Sequence, residues 1–532
     1  MNKTIHIVLL SLLFSLFLQA ESFETDIQNL NTKSYSKKQK VVETLSSKYA
    51  NDKRLSSLLQ GMLEGKLYYT KADNIFVIVE QKNGSSFHTR ELLDSKKLSD
   101  IPKRLLKKVK TNNKLRGMIR AKLATLNLFS PHKETRLKSV KNLLAHLNQD
   151  SLGIIEKALV TEKDEQIRKQ LTEAHYILKA QYGNQEEKLT SVEALGEYLS
   201  PQALQTLKQI QSNSEDQALK SAANKSIGSI EDAKWFYDVI EKLFFGLSLG
   251  SILLLAAIGL AITFGVMKVI NMAHGEMMMI GAYTTYTLQQ ILPNLIEYSV
   301  IIAIPLAFIV SGMVGMIIER LVIRHLYGRP LETLLATFGI SLVLQQLVRS
   351  IYSPLNQEVK TPEWMSGSLE INSALALTYN RLYIIIFAIL VFVGVLLLLK
   401  KTSLGLKVRA VTQNRQMAQA MGIKTGWIDA LTFGIGSGIA GVAGVALSQL
   451  TNVGPNLGQA YIVDSFMVVV FGGVGNLWGT FIAAFTLGEI NKFIEPISGA
   501  VLAKVIILVF IILFIQKRPR GLFPQKGRDA ED

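Results

Sequence analysis

From Phe244 onward the chain is dominated by apolar blocks too long and too closely spaced for a soluble core. They run Phe244–Val266, Met277–Leu292, Val300–Ile318, Leu334–Tyr352, Leu382–Leu399, Ile428–Leu450, Ile462–Val474, Thr480–Ile494 and Ala500–Ile515. Crossing the hydrocarbon of a bilayer takes roughly 20 apolar residues as a helix. In lipid every backbone polar group must bond within the protein, so these blocks have to be helical. The expectation is about nine crossings within a transmembrane domain at residues 241–516, with a cytoplasmic tail at 517–532. Several blocks fall short of a full span, which marks them as candidates for broken or re-entrant segments, tolerated where they are buried in protein or line a cavity.

The first half is different. Residues 21–240 carry 36 Lys+Arg against 27 Asp+Glu and few apolar runs. Ahead of them, Lys3, the short apolar core Val8–Leu18 and the small residue Ala20 read as a secretory signal peptide over residues 1–20. Residues 21–240 are therefore expected to be an exported, periplasmic domain. It reads as mostly helical, with one β-like patch at Asn74–Glu80 followed by an Asn83-Gly84 turn. The segments Lys133–Val140, Ile167–Leu171, Glu186–Val192 and Ala218–Ala222 resemble one another at irregular spacing, as in a HEAT-like stack of helix pairs. The fold class expected for the whole chain is all-α: a polytopic helical membrane domain preceded by an exported HEAT-like helical domain.

Charge sets the topology. The loops between blocks alternate, and one set carries 14 basic residues, among them Arg320, Arg324, Arg329, Lys400, Lys401, Lys407, Arg409, Arg415 and Lys424, together with the basic tail. The opposite loop Ser353–Arg381 holds only Lys360 and Arg381. The basic side is cytoplasmic. An exported first half and a cytoplasmic tail then require an odd number of crossings. The net charge of +16 is not read as a nucleic-acid footprint, because membrane proteins concentrate Lys and Arg in cytoplasmic loops. The chain has no cysteine, which removes disulfides, Cys-ligated zinc and thiol catalysis. No metal site, cofactor site or P-loop is legible. The run Gly436-Ser-Gly438-Ile-Ala-Gly441 has the letters of a dinucleotide motif, but no strand precedes it. Small residues at that spacing in an apolar span serve helix packing.

Three segments carry a resemblance. The first runs from Gly259 and Gly265 through Asn271-Met-Ala-His274-Gly275-Glu276 to Gly281-Ala-Tyr283. The second is Leu404-Gly405-Leu-Lys-Val-Arg409-Ala-Val-Thr-Gln-Asn414-Arg415, ending at Met421-Gly422-Ile423. The third is Phe471-Gly472-Gly473-Val474-Gly475-Asn476-Leu-Trp478-Gly479. Together they resemble the permeases of branched-chain amino acid and urea ABC importers. An exported helical-repeat domain fused ahead of such a permease resembles the B-type permease subunit of urea ABC transporters. The resemblance implies a transporter subunit, not an enzyme, that works by alternating access. Its partners would be a second permease subunit, two ATP-binding subunits that hydrolyse ATP, and a periplasmic solute-binding protein, all at the bacterial inner membrane.

Residue by residue, Gln416-Met417-Ala418-x-x-x-Gly422 has the spacing of an E-A-A-x-x-x-G coupling motif, with Gln416 in place of the Glu. Arg409, Asn414, Arg415, Ala418 and Gly422 are thus the candidate ATPase-coupling loop, with Ala418 and Gly422 expected on one helical face. The alternative is an ordinary basic loop. Asn271, His274 and Glu276 are polar groups beside a span, where ionisable residues are costly; they read as a gate or packing network, or as a cargo contact. Thr337, Ser341, Gln345 and Gln346 supply uncharged hydrogen-bonding groups in the fourth block, which suits a small neutral amide such as urea. Gly472, Gly473 and Gly475 are expected to break a helix pair near the route. Asp464 and Glu489 have no evident partner. The competing readings are the same machine carrying branched-chain amino acids or short amides, a passive urea channel, and a membrane receptor.

Overall fold

The computed structural model describes residues 23–49, 52–83, 86–93, 98–267 and 269–523. The expected signal peptide lies outside them. The chain divides into two compact units, Met1–Ala233 and Lys234–Asp532.

The first unit opens with helices α1 (Phe23–Gln28), α2 (Tyr35–Lys48) and α3 (Lys53–Glu64). They share a core with a five-stranded antiparallel sheet built from β1 (Leu67–Thr70), β2 (Phe76–Asn83), β3 (Ser86–Glu91), β4 (Leu98–Pro102) and β5 (Leu106–Lys108). The strand order is β4-β3-β2-β1-β5. Leu45, Leu55, Leu58, Met62, Leu67 and Phe76 are completely or almost completely buried in that core. This corrects the all-α expectation. The patch at Asn74–Glu80 does contribute to strand β2, but the strands β1, β4 and β5 of the same sheet span only three to five residues. Strands that short show no readable alternation; their register is fixed by pairing, as in Leu67 opposite Ile78 and Tyr69 opposite Lys107.

Helices follow: α4 (Asn113–Asn127), α5 (Lys133–Leu144), α6 (Leu152–Thr161), α7 (Glu165–Tyr182), α8 (Gln185–Leu195) and α9 (Pro201–Asn213). Their starts are written locally. Asp164 and Ser200 accept backbone N–H bonds as N-caps, and Asn184 with Glu187 forms a reciprocal capping box. Buried apolar residues from successive helices make two consecutive cores, one around Val140, Ile155 and Leu171, the next around Val192, Leu207 and Ile230.

Glu173 is buried between α7 and the Ser200 cap, whose hydroxyl donates to its carboxylate. Burial raises its pKa above the ordinary value, against the lowering effect of the Ser200 bond. A raised carboxyl takes up a proton on folding. Its favourable contribution is therefore complete below the ordinary glutamate pKa and is lost as pH rises through the raised value. Glu173→Gln is expected to slow hydrogen exchange in α7 and α9 at pH 8 and to leave it unchanged at pH 4. Equal effects at both pH values would count against this account.

Helix α10 (Gln217–Met267) begins in the first unit and continues into the second. There follow α11 (His274–Ile291), α12 (Ile296–Leu321), α13 (Pro330–Tyr352), α14 (Tyr379–Lys401), α15 (Ser403–Gln413), α16 (Arg415–Ala420), α17 (Thr425–Ser448), α18 (Leu457–Gly472), α19 (Leu477–Ser498) and α20 (Ala500–Lys517). Between α13 and α14 a two-stranded ribbon, β6 (Ser368–Glu370) and β7 (Ala376–Thr378), is a second departure from all-α.

By length and composition, six described helices can cross a membrane: α10, α12, α13, α14, α17 and α20. The remaining three expected blocks are also helical. However, α18 is short, and α11 and α19 carry polar groups such as Glu276, Glu489 and Lys492.

Helix α17 is buried along almost its whole length. The glycine run explains how. A Cβ at Gly436 would collide with α10 at Gly259 and Thr263, one at Gly438 with Phe308 of α12, and one at Gly441 with Ser311. The run is a packing surface against both α10 and α12.

Candidate functional site

Before α11, Asn271 folds the chain by accepting the Ala273 N–H (3.0 Å). The Met272 N–H donates to Thr337 Oγ1 (3.1 Å), which ties this segment to α13. Two residues into α11, Glu276 is 1 % exposed. Its Oε1 accepts from Ser341 Oγ and from Gln345 Nε2, each at 2.8 Å, while its Oε2 has no partner among the described residues. Thr337, Ser341 and Gln345 are four residues apart, so one face of α13 presents all three to the start of α11. His274 points the other way. Its Nε2 donates to the Ala256 carbonyl of α10 (2.9 Å) and its Nδ1 is buried without a partner. Asn271 and His274 therefore fasten the helix start, whereas Glu276 keeps an open acceptor.

The same seam continues along α11. Tyr283 lies two turns beyond Glu276 with its hydroxyl buried and unpartnered, and its ring is 4.8 Å from that of Tyr352. Tyr352 shares a hydrogen bond with Thr287 (2.7 Å), and Tyr286 donates to Gln357 (3.1 Å). A groove of about 330 Å³ opens here between α11, α12 and α13, lined by Tyr283, Thr284, Thr287, Val348 and Tyr352 among others. From sequence Tyr283 only ended the first resembling segment, and neither it nor Tyr286 or Tyr352 was expected at the site. The available signal was Tyr283 and Tyr286 one turn apart on the helix that carries Glu276.

In the basic loop, Asn414 caps α16 by accepting the Met417 N–H (2.9 Å). The helix ends at Ala420, and Gly422 sits beyond it at φ 82°. The Ile423 N–H returns to the Ala418 carbonyl (3.0 Å), closing a left-handed C-terminal turn. The single helical face expected for Ala418 and Gly422 therefore does not form. Ala418 is buried against Val408, Val411 and Ile428, and Gly422 shapes the turn. Arg409 donates to the Leu399 carbonyl at the end of α14. Arg415 bridges to the fully buried Asp429 of α17 (2.5 Å) and lies 4.6 Å above the Tyr327 ring. Met417 and Met421, by contrast, are 60 % and 77 % exposed.

Residues 242–515 match the family described as the branched-chain amino acid transport system permease component. The chain belongs to that family. It is 29% identical over 296 residues to the high-affinity branched-chain amino acid transport system permease protein BraD of Pseudomonas aeruginosa, covering 54% of this chain and 96% of BraD. It is 30% identical over 298 residues to LivH of Salmonella typhimurium, and 29% over 302 residues to LivH of Escherichia coli, with the same coverage of each chain. No solved structure matches. These relatives are almost fully covered by the match, so the first unit is an addition that they lack. This permease is a membrane component of an ABC transporter.

Elsewhere in the permease, Gly472, Gly473 and Gly475 do interrupt a helix pair, away from the Glu276 cluster. Gly473 and Gly475 have φ of 103° and 76°, and Gly472 abuts the backbone of Gly479. Asn476 caps α19 by accepting from Trp478 and Gly479 (3.1 Å each). The Leu522 and Phe523 N–H groups bond to the Phe471 and Gly472 carbonyls, so the C-terminal segment holds this turn. Asp464 proves to be paired with Lys504 (2.8 Å), while Glu489 stands against Gly246 with one oxygen unpartnered.

The turn geometry yields a prediction. Nothing lies within 4 Å of a Cβ at Gly422, so bulk is not the constraint there; handedness is. Gly422→Asn should retain most uptake, and Gly422→Val should lose most of it at an unchanged membrane level, because a left-handed backbone costs an L-residue about 1–2 kcal/mol and β-branching adds to that. Equal activity of the two variants would remove the assignment.

Proposed function

We propose that this permease moves urea across the bacterial inner membrane by alternating access. The observation that carries the reading is the seam between α11 and α13. It consists of hydroxyl and amide groups from Thr337, Ser341, Gln345, Thr287, Tyr283 and Tyr352, with one carboxyl oxygen of Glu276 left open. A small neutral amide offers N–H donors and a carbonyl acceptor to such groups, and a buried polar group left unpaired costs on the order of 1–3 kcal/mol. The first unit, absent from the matched amino acid permeases, supports a cargo different from theirs. Asn271 and His274 act in this reading as the hinge of the gate, and the Gly472–Gly475 turn as its cytoplasmic pivot.

The machine consists of this chain, a second permease subunit, two ATP-binding subunits and a periplasmic solute-binding protein. The first unit is the exported domain, and its helices α4–α9 are the HEAT-like part. The loop of Arg409, Asn414, Arg415, Ala418 and Gly422 is the coupling element, and the exposed Met417 and Met421 are the side chains that an ATP-binding subunit would cover. A second reading, transport of branched-chain amino acids, is favoured by what the relatives are named for. Uptake of labelled urea in a strain lacking the native chain, restored by this one, separates the possibilities. We expect uptake to stop on ATP depletion and to resist excess leucine. Competition by leucine would transfer the cargo to amino acids, and uptake that persists without ATP would identify a channel.

A further inference from the structure

Ten basic residues and no acidic one lie between Asp100 and Glu134. In the first unit this stretch passes through a short turn at Lys103–Leu105, the edge strand β5, and α4. Lys103, Arg104, Lys107, Lys108 and Lys110 are all exposed. Of the described acids around it, Asp100 is engaged with His88 (2.8 Å), Glu80 with Arg90 (2.9 Å) and Glu64 with Lys66 (2.6 Å), which leaves the exposed Asp73, in the turn beside Leu105, against these five cations. Beneath the patch Lys38 is buried, its Nζ donating to the Lys110 carbonyl (2.8 Å). Burial, and then the charges of Lys107 and Lys110, hold its ammonium below the ordinary lysine value. Among the described residues the charge here is net positive. A lysine or two on an edge strand keeps it from pairing with another chain. That purpose does not require a charged surface extending over the turn and the following helix. In the middle of the charges Leu105 is 48 % exposed.

We propose that this face binds an anionic lipid surface, with the basic side chains on headgroup phosphates and Leu105 entering the interface. Cationic charge around an exposed apolar side chain is the combination that such a surface recognises. The same chain continues into a membrane-spanning helix, so a bilayer is always present at high effective concentration.

Because the sequence has no cysteine, Leu105→Cys gives a single labelling position in the full-length protein. The variant, carrying an environment-sensitive fluorophore, is reconstituted in phosphatidylcholine alone or mixed with phosphatidylglycerol. In the mixed bilayer we expect a severalfold brighter, blue-shifted emission that a lipid-attached nitroxide quenches. Salt high enough to shorten screening to about 3 Å should reverse it, and so should the combined change Lys103→Glu, Arg104→Glu and Lys107→Glu. The lipid and salt comparisons use one protein, so a folding defect of the charge variant cannot mimic the result. Identical emission in the two bilayers would overturn the proposal. So would an emission change that requires an added acidic protein, since the face would then be a protein-docking surface.

Discussion

Arg415→Ala is expected to cost this permease about 2–3 kcal/mol, more than removal of the carboxylate it holds. Breaking a fully buried pair by removing one partner typically costs about 3–5 kcal/mol because a charge is left uncompensated. Here the discount is that Arg415 is 39% exposed, whereas Asp429 is fully buried. Glu319 adds to the asymmetry. It is 1% exposed, neither oxygen is hydrogen-bonded, and the Arg320 guanidinium is 3.7 Å away. Taking away Arg415 therefore leaves two buried carboxylates. Asp429→Asn removes the stranded charge and lets the guanidinium turn to water, at a cost of about 1 kcal/mol. The double variant should resemble Asp429→Asn alone, a strong coupling in a double-mutant cycle. Thermal unfolding of the purified permease in detergent measures all three. Additive costs, or equal costs for the two single changes, would show that the pair is not the unit described here.

The second large effect belongs to a glycine. A methyl group on Gly281 of α11 would land on the backbone of Gly441 in α17, and one on Gly444 would land on the Met278 carbonyl. Neither collision involves a side chain that can change rotamer, so relief requires moving a helix that is buried on nearly every side. Gly281→Ala is expected to cost about 3 kcal/mol, the upper part of the usual range for overpacking, and Gly281→Val to abolish a monodisperse elution peak. Gly394 in α14 is the control. Nothing lies within 4 Å of its Cβ, so Gly394→Ala should be neutral or stabilising by about 0.5–1 kcal/mol through helix propensity. If both alanine variants behaved alike, helix propensity rather than close packing would govern this bundle.

What could be read beforehand depended on whether the determinant was local. Thr337, Ser341 and Gln345 repeat at four residues, so a helix alone aligns them. That Ser341 and Gln345 meet Glu276, 65 and 69 positions earlier, follows from packing, and the Tyr283–Tyr352 contact was hidden for the same reason. The spacing of Ala418 and Gly422 suggested one helical face, but a left-handed turn ended the helix between them. That choice is made by backbone geometry, and glycine leaves both outcomes open. The strands β1 and β5 were illegible because three or four residues carry no period, and only a partner strand gives them a face. Asp464 had no evident partner in the sequence because Lys504, which pairs with it, lies 40 positions later on another helix.

The carbonyls of Phe471 and Gly472 are completed by N–H groups of Leu522 and Phe523, and Asn476 reaches the Phe523 carbonyl 47 positions away. During synthesis, therefore, the turn between α18 and α19 emerges without its bonding partners and must wait for α20 to be made. At elongation rates of about 5–20 residues per second that interval is several seconds, far longer than a helix needs to form. The turn is thus open to rearrangement, or to capture by insertion machinery and proteases, until the segment that follows α20 closes over it.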